Sequence, residues 1–339
     1  MITNTRLVLA TTSQPNLNVF TKHEAITLID DVKKSEQVWR NNKTPIMLSD
    51  EQIPDTLQVP FFEGDVTEIS EQFIEFCHAN GIESGEYISG IKYDSNKERC
   101  ILCELASCKG MNGDMAFYNR NVTRPVDCII YDSRYFYVVP ELGALKLGFL
   151  MIVPKEHYLS VAQYPPALLK EYQQVCEDLE EILKNTFGAK IVTFFEHGTA
   201  PGGYTSHKKS IVHAHTHVVT DFIMEDKYKE MVQLKTIDDI NVAAHTHYFS
   251  YQEGAHGDLQ IAMDSEVYVQ RQFPRQVMAL QLGLAPGQYN WRHAAFHENS
   301  AATVYRLYTY LKTLQPKNGR LFERTRDFVI GYSQRDDVI

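Results

Sequence analysis

Apolar residues recur along this chain in two rhythms. Residues 128–132, 135–140 and 148–153 form short dense runs rich in Val, Ile and Tyr, separated by turn residues. Such runs predict consecutive strands of an antiparallel meander. From about 166 to 187 the rhythm becomes helical. Leu168, Leu169, Tyr172, Val175, Leu179, Ile182 and Leu183 share one face, and Gly188 follows as a stop. Residues 190–195 predict a strand, and 198–203 a glycine-rich loop. Farther on, 248–251 and 259–263 predict a hairpin. Pro274 opens a predicted helix that runs to Leu282, and 300–314 predicts a last one. Upstream, 6–12 predicts a strand, 23–40 and 65–79 two helices, and 45–60 strand and loop. The polar stretch 93–98 marks a boundary. The organisation expected is an α/β lobe over 1–95, a central domain over 96–225 and a strand-helix extension over 226–339.

Between the glycine-rich loop and the predicted hairpin, Ser210-Ile211-Val212-His213-Ala214-His215-Thr216-His217-Val218-Val219 alternates histidine with small or β-branched residues. A strand sends every second side chain to one face, so three imidazoles are expected side by side. Rings two residues apart are separated by about 6.6 Å, and the outer pair by about 13 Å. Zinc holds imidazole nitrogens at about 2.0–2.1 Å, so three rings reach one ion only if both outer rings bend strongly inward. The spacing favours a division of labour. One outer ring goes to a metal or structural partner, the middle ring to the reaction centre and the other outer ring to a leaving group. A polar solvent-facing strand and a three-histidine metal-hydroxide site are the alternatives.

The chain has 339 residues, 44% of them hydrophobic, and a formal net charge of -10. That balance disfavours general nucleic-acid or membrane binding, although a local basic pocket can still hold a phosphate. No apolar run approaches the ~20 residues of a membrane-spanning helix. The N-terminus lacks a signal-peptide pattern, so a cytoplasmic setting is expected. Six cysteines in this length make no disulfide scaffold. Cys77, Cys128 and Cys176 read as buried inert thiols. Cys100 and Cys103 form a CxxC with Cys108 close behind. Nothing before Cys100 looks like the strand-to-helix junction of a redox site, so the pair reads as half a zinc site. His157, His213 and Cys108 are candidates to complete it, and a Cys2His2 set would be closed and structural.

Together these segments resemble the histidine triad (HIT) superfamily of nucleotide hydrolases and transferases. Family members carry His-x-His-x-His with apolar neighbours, as in His213 to Val219. A Gly-(His)-x-Leu-x-Ile-Pro-Lys-x-His segment precedes it, matched by Gly148 to His157. A long helix and a strand ending in an Asn-x-Gly-like turn lie between, with Glu196-His197-Gly198 at the turn. The zinc-containing branch opens with a CxxC. The resemblance covers residues 98 to 222 and implies an α+β fold with an antiparallel sheet and one long helix. It implies a structural zinc on Cys100, Cys103, His157 and His213. It implies nucleotidyl transfer or hydrolysis at an α-phosphate, with His215 as nucleophile, His217 at the leaving group, and Ser210 and Lys209 on phosphate oxygens. A nucleotide or dinucleotide is the implied substrate, and a homodimer is a further implication.

Several positions depart from the family pattern. Phe149 stands for the usual His, Lys209 for Gln and Glu196 for Asn. Glu141 is the nearest match to the aspartate that grips the ribose. Glu196, His197 and Gly198 are expected near substrate, as is His207. Arg271, Arg275 and Arg292 are expected either at phosphates or in surface salt bridges, and Tyr289 and Trp291 either on a base or in the core. His245 and His247 read as polar loop, and the pair His293 and His297 is discounted. Two other functions compete with the family reading: a zinc-dependent hydrolase with its catalytic metal on the triad, and a non-catalytic nucleotide-binding protein.

Overall fold

The computed structural model describes residues 5–9, 45–49, 61–64, 66–79, 83–85, 100, 102–103, 129–141, 143–200, 212–263, 269–270, 272–291 and 296–314. The chain forms two compact units, the first mainly residues 1–94 and the second mainly residues 95–339. In the first, β1 (Thr5–Leu9) is the middle strand of a three-stranded sheet, between β2 (Pro45–Ser49) and β3 (Phe61–Gly64). Both pairings are antiparallel. Helix α1 (Val66–Ala79) follows, as its 3.6-residue pattern predicts, and buries Phe73, Ile74 and Cys77. Strand β3 was not expected. The helix predicted over 23–40 and the boundary at 93–98 lie outside the described residues.

The second unit is built on one eight-stranded sheet. Its meander is β4 (Tyr131–Asp132), β5 (Phe136–Pro140) and β6 (Leu150–Pro154). Helix α2 (Pro166–Phe187) crosses to β7 (Val192–Gly198), and β8 (Thr216–Thr220) inserts between β6 and β7. After α3 (Asp226–Met231) come β9 (Lys235–Thr236), β10 (Tyr248–Glu253) and β11 (Gln260–Met263). Helices α4 (Phe273–Gln281) and α5 (His297–Leu314) close the chain. The strand order is β4-β5-β6-β8-β7-β10-β11-β9, antiparallel throughout. The fold is therefore α+β. The predicted C-terminal hairpin forms and, through β10 on β7, belongs to the same sheet as the meander.

Both faces of this sheet are covered, which is why its strands read as dense apolar runs rather than alternating ones. Every residue of β5 and β6 is buried. On one face lies α2, with Tyr172 against Phe136 and hydrogen-bonded to Thr216 at 3.0 Å. On the other, Phe149, Phe195, Phe222 and Phe249 pack with Phe273, Val277 and Met278 of α4. Among the described residues no helix is long and apolar enough to cross a membrane.

Two sequence expectations are corrected here. The histidine segment is not one strand: β8 starts at Thr216, and His213 and His215 lie in the bent segment before it. The His213 carbonyl faces the His215 ring rather than a neighbouring strand. The strand predicted over 190–195 runs on to Gly198, so Glu196, His197 and Gly198 are paired with β10 rather than exposed in a turn.

Gly148 enters β6 at φ +73°, and a Cβ there would lie 2.6 Å from Thr220 Cγ2. Its amide donates to Thr303 Oγ1 at 3.0 Å, and Thr220 Oγ1 donates to the Leu147 carbonyl at 2.8 Å. Gly148→Ala is expected to cost about 1–3 kcal/mol of unfolding free energy in urea titrations. An unchanged midpoint and slope would contradict this tight approach.

Candidate active site and metal centre

His215 precedes β8 with its ring half-buried. Its Nδ1 lies 2.6 Å from the carbonyl oxygen of His213. A carbonyl only accepts, so Nδ1 carries the proton and the lone pair sits on Nε2. Burial, then the neighbouring His217, brings its pKa down to about 4, which keeps the ring neutral near pH 7. The middle ring of the run is thus a neutral base with one bare nitrogen. The His217 ring stands 5.1 Å from it, centroid to centroid, at 76°.

His213 is fully buried and turned the other way. Its Nε2 donates to the Pro154 carbonyl at 3.0 Å, which leaves the Nδ1 lone pair directed at Cys100 Sγ (3.4 Å) and Cys103 Sγ (3.3 Å). One ligand atom from each of Cys100, Cys103, His157 and His213 lies within 4.8 Å of all the others. A tetrahedral ion with Zn–S near 2.3 Å and Zn–N near 2.0–2.1 Å sets adjacent donors roughly 3.5 Å apart. The two S···N distances fit that edge. The His213-to-carbonyl bond is the outer contact that ligating imidazoles commonly make. These four residues can hold a metal ion.

His217, the first inward residue of β8, pairs with Phe195 of β7 and Met151 of β6. Phe195 stacks on its ring at 4.8 Å and 23°, and Phe149 meets it edge-on at 5.7 Å. Phe149, fully buried, is part of the core. Glu141 Oε2 lies 2.8 Å from His217 Nδ1, and Glu141 Oε1 lies 3.3 Å from Arg275 Nη1. Both contacts are close in distance but poorly aligned, which makes them electrostatic pairs before they are hydrogen bonds. Burial alone would raise the Glu141 carboxyl; His217 and Arg275 overturn that and hold it near 2. Glu141 and Arg275 were expected at substrate. The structure engages them with each other, with His217 and with backbone carbonyls.

Glu196 was also expected near substrate. It is buried on the α2 side of the sheet, opposite the Phe195–His217 stack. Both its oxygens lie 3.1 Å from the Val161 amide, and it accepts from Tyr248 Oη. Desolvation outweighs these donors and raises its pKa to about 8. His197 is half-buried, its ring 6.4 Å from that of Phe249. Gly198 packs under Tyr248, where a Cβ would fall 2.2 Å from Cε1. Tyr289 packs against the α4 core, His247 Nδ1 accepts from the Ala200 amide at 3.3 Å, and His245 is exposed. Lys209, Ser210, His207, Cys108, Cys128, Arg271, Arg292 and His293 lie outside the described residues. Sequence reasoning missed the Phe195 stack, the Pro154 carbonyl partner and the Glu141–Arg275 pair. The apolar Phe194-Phe195 run signalled the first; nothing in the spacing signals the last, whose partners are far apart in the chain.

No protein-family model matches the chain, and no curated protein does. Solved structures show partial likeness. A hypothetical histidine triad nucleotide-binding protein from Sulfolobus tokodaii is 17% identical, over 37% of this chain and 71% of that one, with a TM-score of 0.27. A member of the HIT family from Bacillus subtilis is 15% identical, over 36% and 73%, at 0.27. A zinc-bound histidine triad family protein from Mycobacterium smegmatis is 16% identical, over 36% and 74%, at 0.27.

The folded Glu196 carboxyl holds its proton more tightly than a free glutamate. Its contribution to stability is present at low pH and lost as pH rises from about 4.5 through about 8. Glu196→Gln, which keeps the shape without the charge, is expected to flatten the fall of melting temperature across that window. The difference at its alkaline end should be on the order of a few kcal/mol. Parallel pH profiles for the two proteins would show that Glu196 does not titrate there.

Proposed function

We propose that the second unit is a histidine-triad-type nucleotide hydrolase or nucleotidyltransferase. The observation that carries this reading is the His215 ring, with its proton held on Nδ1 by the His213 carbonyl and its Nε2 bare. Neutral imidazole with a free nitrogen is a competent nucleophile toward phosphorus. In the proposed step the Nε2–P bond forms at the α-phosphorus while the bond to the leaving group breaks. The leaving group departs on the His217 side with the electron pair of the broken bond and takes any proton it needs from solvent. Water, phosphate or another acceptor then attacks phosphorus, and the electron pair returns to Nε2. Lys209 and Ser210 hold nonbridging oxygens in this reading, as the family resemblance implies.

Cys100, Cys103, His157 and His213 would hold a zinc ion, whose contribution would be structural, tying the CxxC segment to the end of the central sheet. The second reading, a catalytic metal on the triad itself, is disfavoured by the geometry. Nδ1 of His213 faces two sulfurs, Nδ1 of His215 a carbonyl and Nδ1 of His217 a carboxylate. Three rings turned to three different partners do not converge on one ion.

Incubation with AMP-morpholidate, dinucleoside polyphosphates and nucleotide sugars should yield a nucleotidyl adduct by intact mass. His215→Ala should abolish the adduct and lower turnover more than about a hundredfold. Retained turnover above about one percent would overturn nucleophilic catalysis by His215. Elemental analysis should find about one zinc per chain, and Cys103→Ser should lower zinc content and melting temperature together. A metal-free wild-type protein would overturn the zinc assignment.

A further inference from the structure

A buried ion pair loses hydration worth several kcal/mol per charge, and apolar residues of similar volume commonly fill such a place as well or better. The Glu141 and Arg275 side chains are 4% and 3% exposed, so their retention beside a triad ring calls for a use. Arg275 comes from α4. Its Nη2 donates to the Gly143 carbonyl at 2.6 Å and its Nε to the Tyr289 carbonyl at 2.9 Å. Its guanidinium lies 5.6 Å from the Phe149 ring centroid. These contacts leave Nη1 toward Glu141 Oε1, while Oε2 faces Nδ1 of His217. The Glu141 backbone is held as well, since Ser300 Oγ donates to its carbonyl at 2.7 Å. Phe195 and Phe149 bracket the His217 ring, so its remaining freedom is which nitrogen bears the proton.

We infer that Glu141 and Arg275 are positioning residues for His217 and not substrate contacts. The Glu141 carboxylate keeps the proton on Nδ1 and leaves Nε2, on the far side of the ring, for the group that departs from phosphorus. Arg275 keeps that carboxylate charged and aimed, from a helix outside the segment that resembles the triad family. The catalytic consequence rests on the proposed nucleotidyl transfer. The tautomer of His217 does not.

The test uses full-length protein labelled with 15N-histidine, with the His217 resonances identified by their loss in His217→Asn. At a pH where the His217 ring carries a single proton, the wild-type spectrum should show the Nδ1–H form. Glu141→Gln keeps the shape, and should shift His217 toward the Nε2–H form and lower kcat at least about tenfold with KM nearly unchanged. Arg275→Lys should retain the wild-type tautomer and recover kcat relative to Arg275→Met. An Nε2–H ring in the wild type, or an unchanged tautomer in Glu141→Gln, would overturn the inference. So would a raised KM at constant kcat in Glu141→Gln, the signature of a lost substrate contact. If the protein forms no nucleotidyl adduct, the proposed function fails while the tautomer measurement still decides this point. If Arg275→Met does not fold, the isosteric Glu141→Gln decides it alone.

Discussion

A neutral imidazole has one proton for two nitrogens, and the site is organised by where that proton is fixed on each of three rings. His213 donates from Nε2 to the Pro154 carbonyl, so its Nδ1 is an acceptor facing two thiols. His215 donates from Nδ1 to the His213 carbonyl, so its Nε2 is bare. His217 has a carboxylate at Nδ1. Side chains of one type, spaced two apart, thereby present three different groups: a nitrogen facing two sulfurs, a bare nitrogen and a nitrogen paired with a carboxylate. The first bond also feeds the second. The residue that offers its ring to the sulfurs offers its carbonyl to the next ring, so a shift of His213 would move the acceptor that holds the His215 proton.

This arrangement needs a backbone that is only partly a strand. In a regular ladder the His213 carbonyl would be turned to a neighbouring strand. Because β8 begins at Thr216, that carbonyl is free to bond the ring two residues on. The late start is supported from behind. Thr216, buried on the α2 side, bonds Tyr172, and Val218 and Val219 are fully buried on the two faces. The β8 register against β6 and β7 then sets His217 beside Phe195 and Met151. The wall on that side comes from β10 and α4, far later in the chain. The residues after the triad segment are therefore structural partners of the site.

The meander, the long helix and the late hairpin were legible in the sequence, because burial on both sheet faces writes dense apolar runs and a single buried stripe writes the helical period. Cys100, Cys103, His157 and His213 were legible as a group because metal-ligand chemistry restricts residue types and the family resemblance restricts order. The conformation of the histidine segment was not legible. Period-two spacing states what a strand would do and is silent on where the strand begins. Glu196 was misplaced for a related reason: a polar Glu-His-Gly string looks like a turn, while buried donors from Val161 and Tyr248 let a glutamate stay inside a strand. Arg275 and Glu141 were singled out as charged residues near chemistry. That they face each other is a matter of tertiary pairing between a loop after β5 and a helix 134 positions later, which no local pattern encodes.

Attack on phosphorus by Nε2 of His215, as proposed, is read out by 31P–15N coupling in the trapped nucleotidyl adduct of protein labelled at the histidine ring nitrogens. A one-bond coupling to Nε2 of His215 is expected, with Nδ1 still protonated and bonded to the His213 carbonyl. Coupling to Nδ1, coupling to another histidine, or a phosphorus signal with no nitrogen coupling would contradict it.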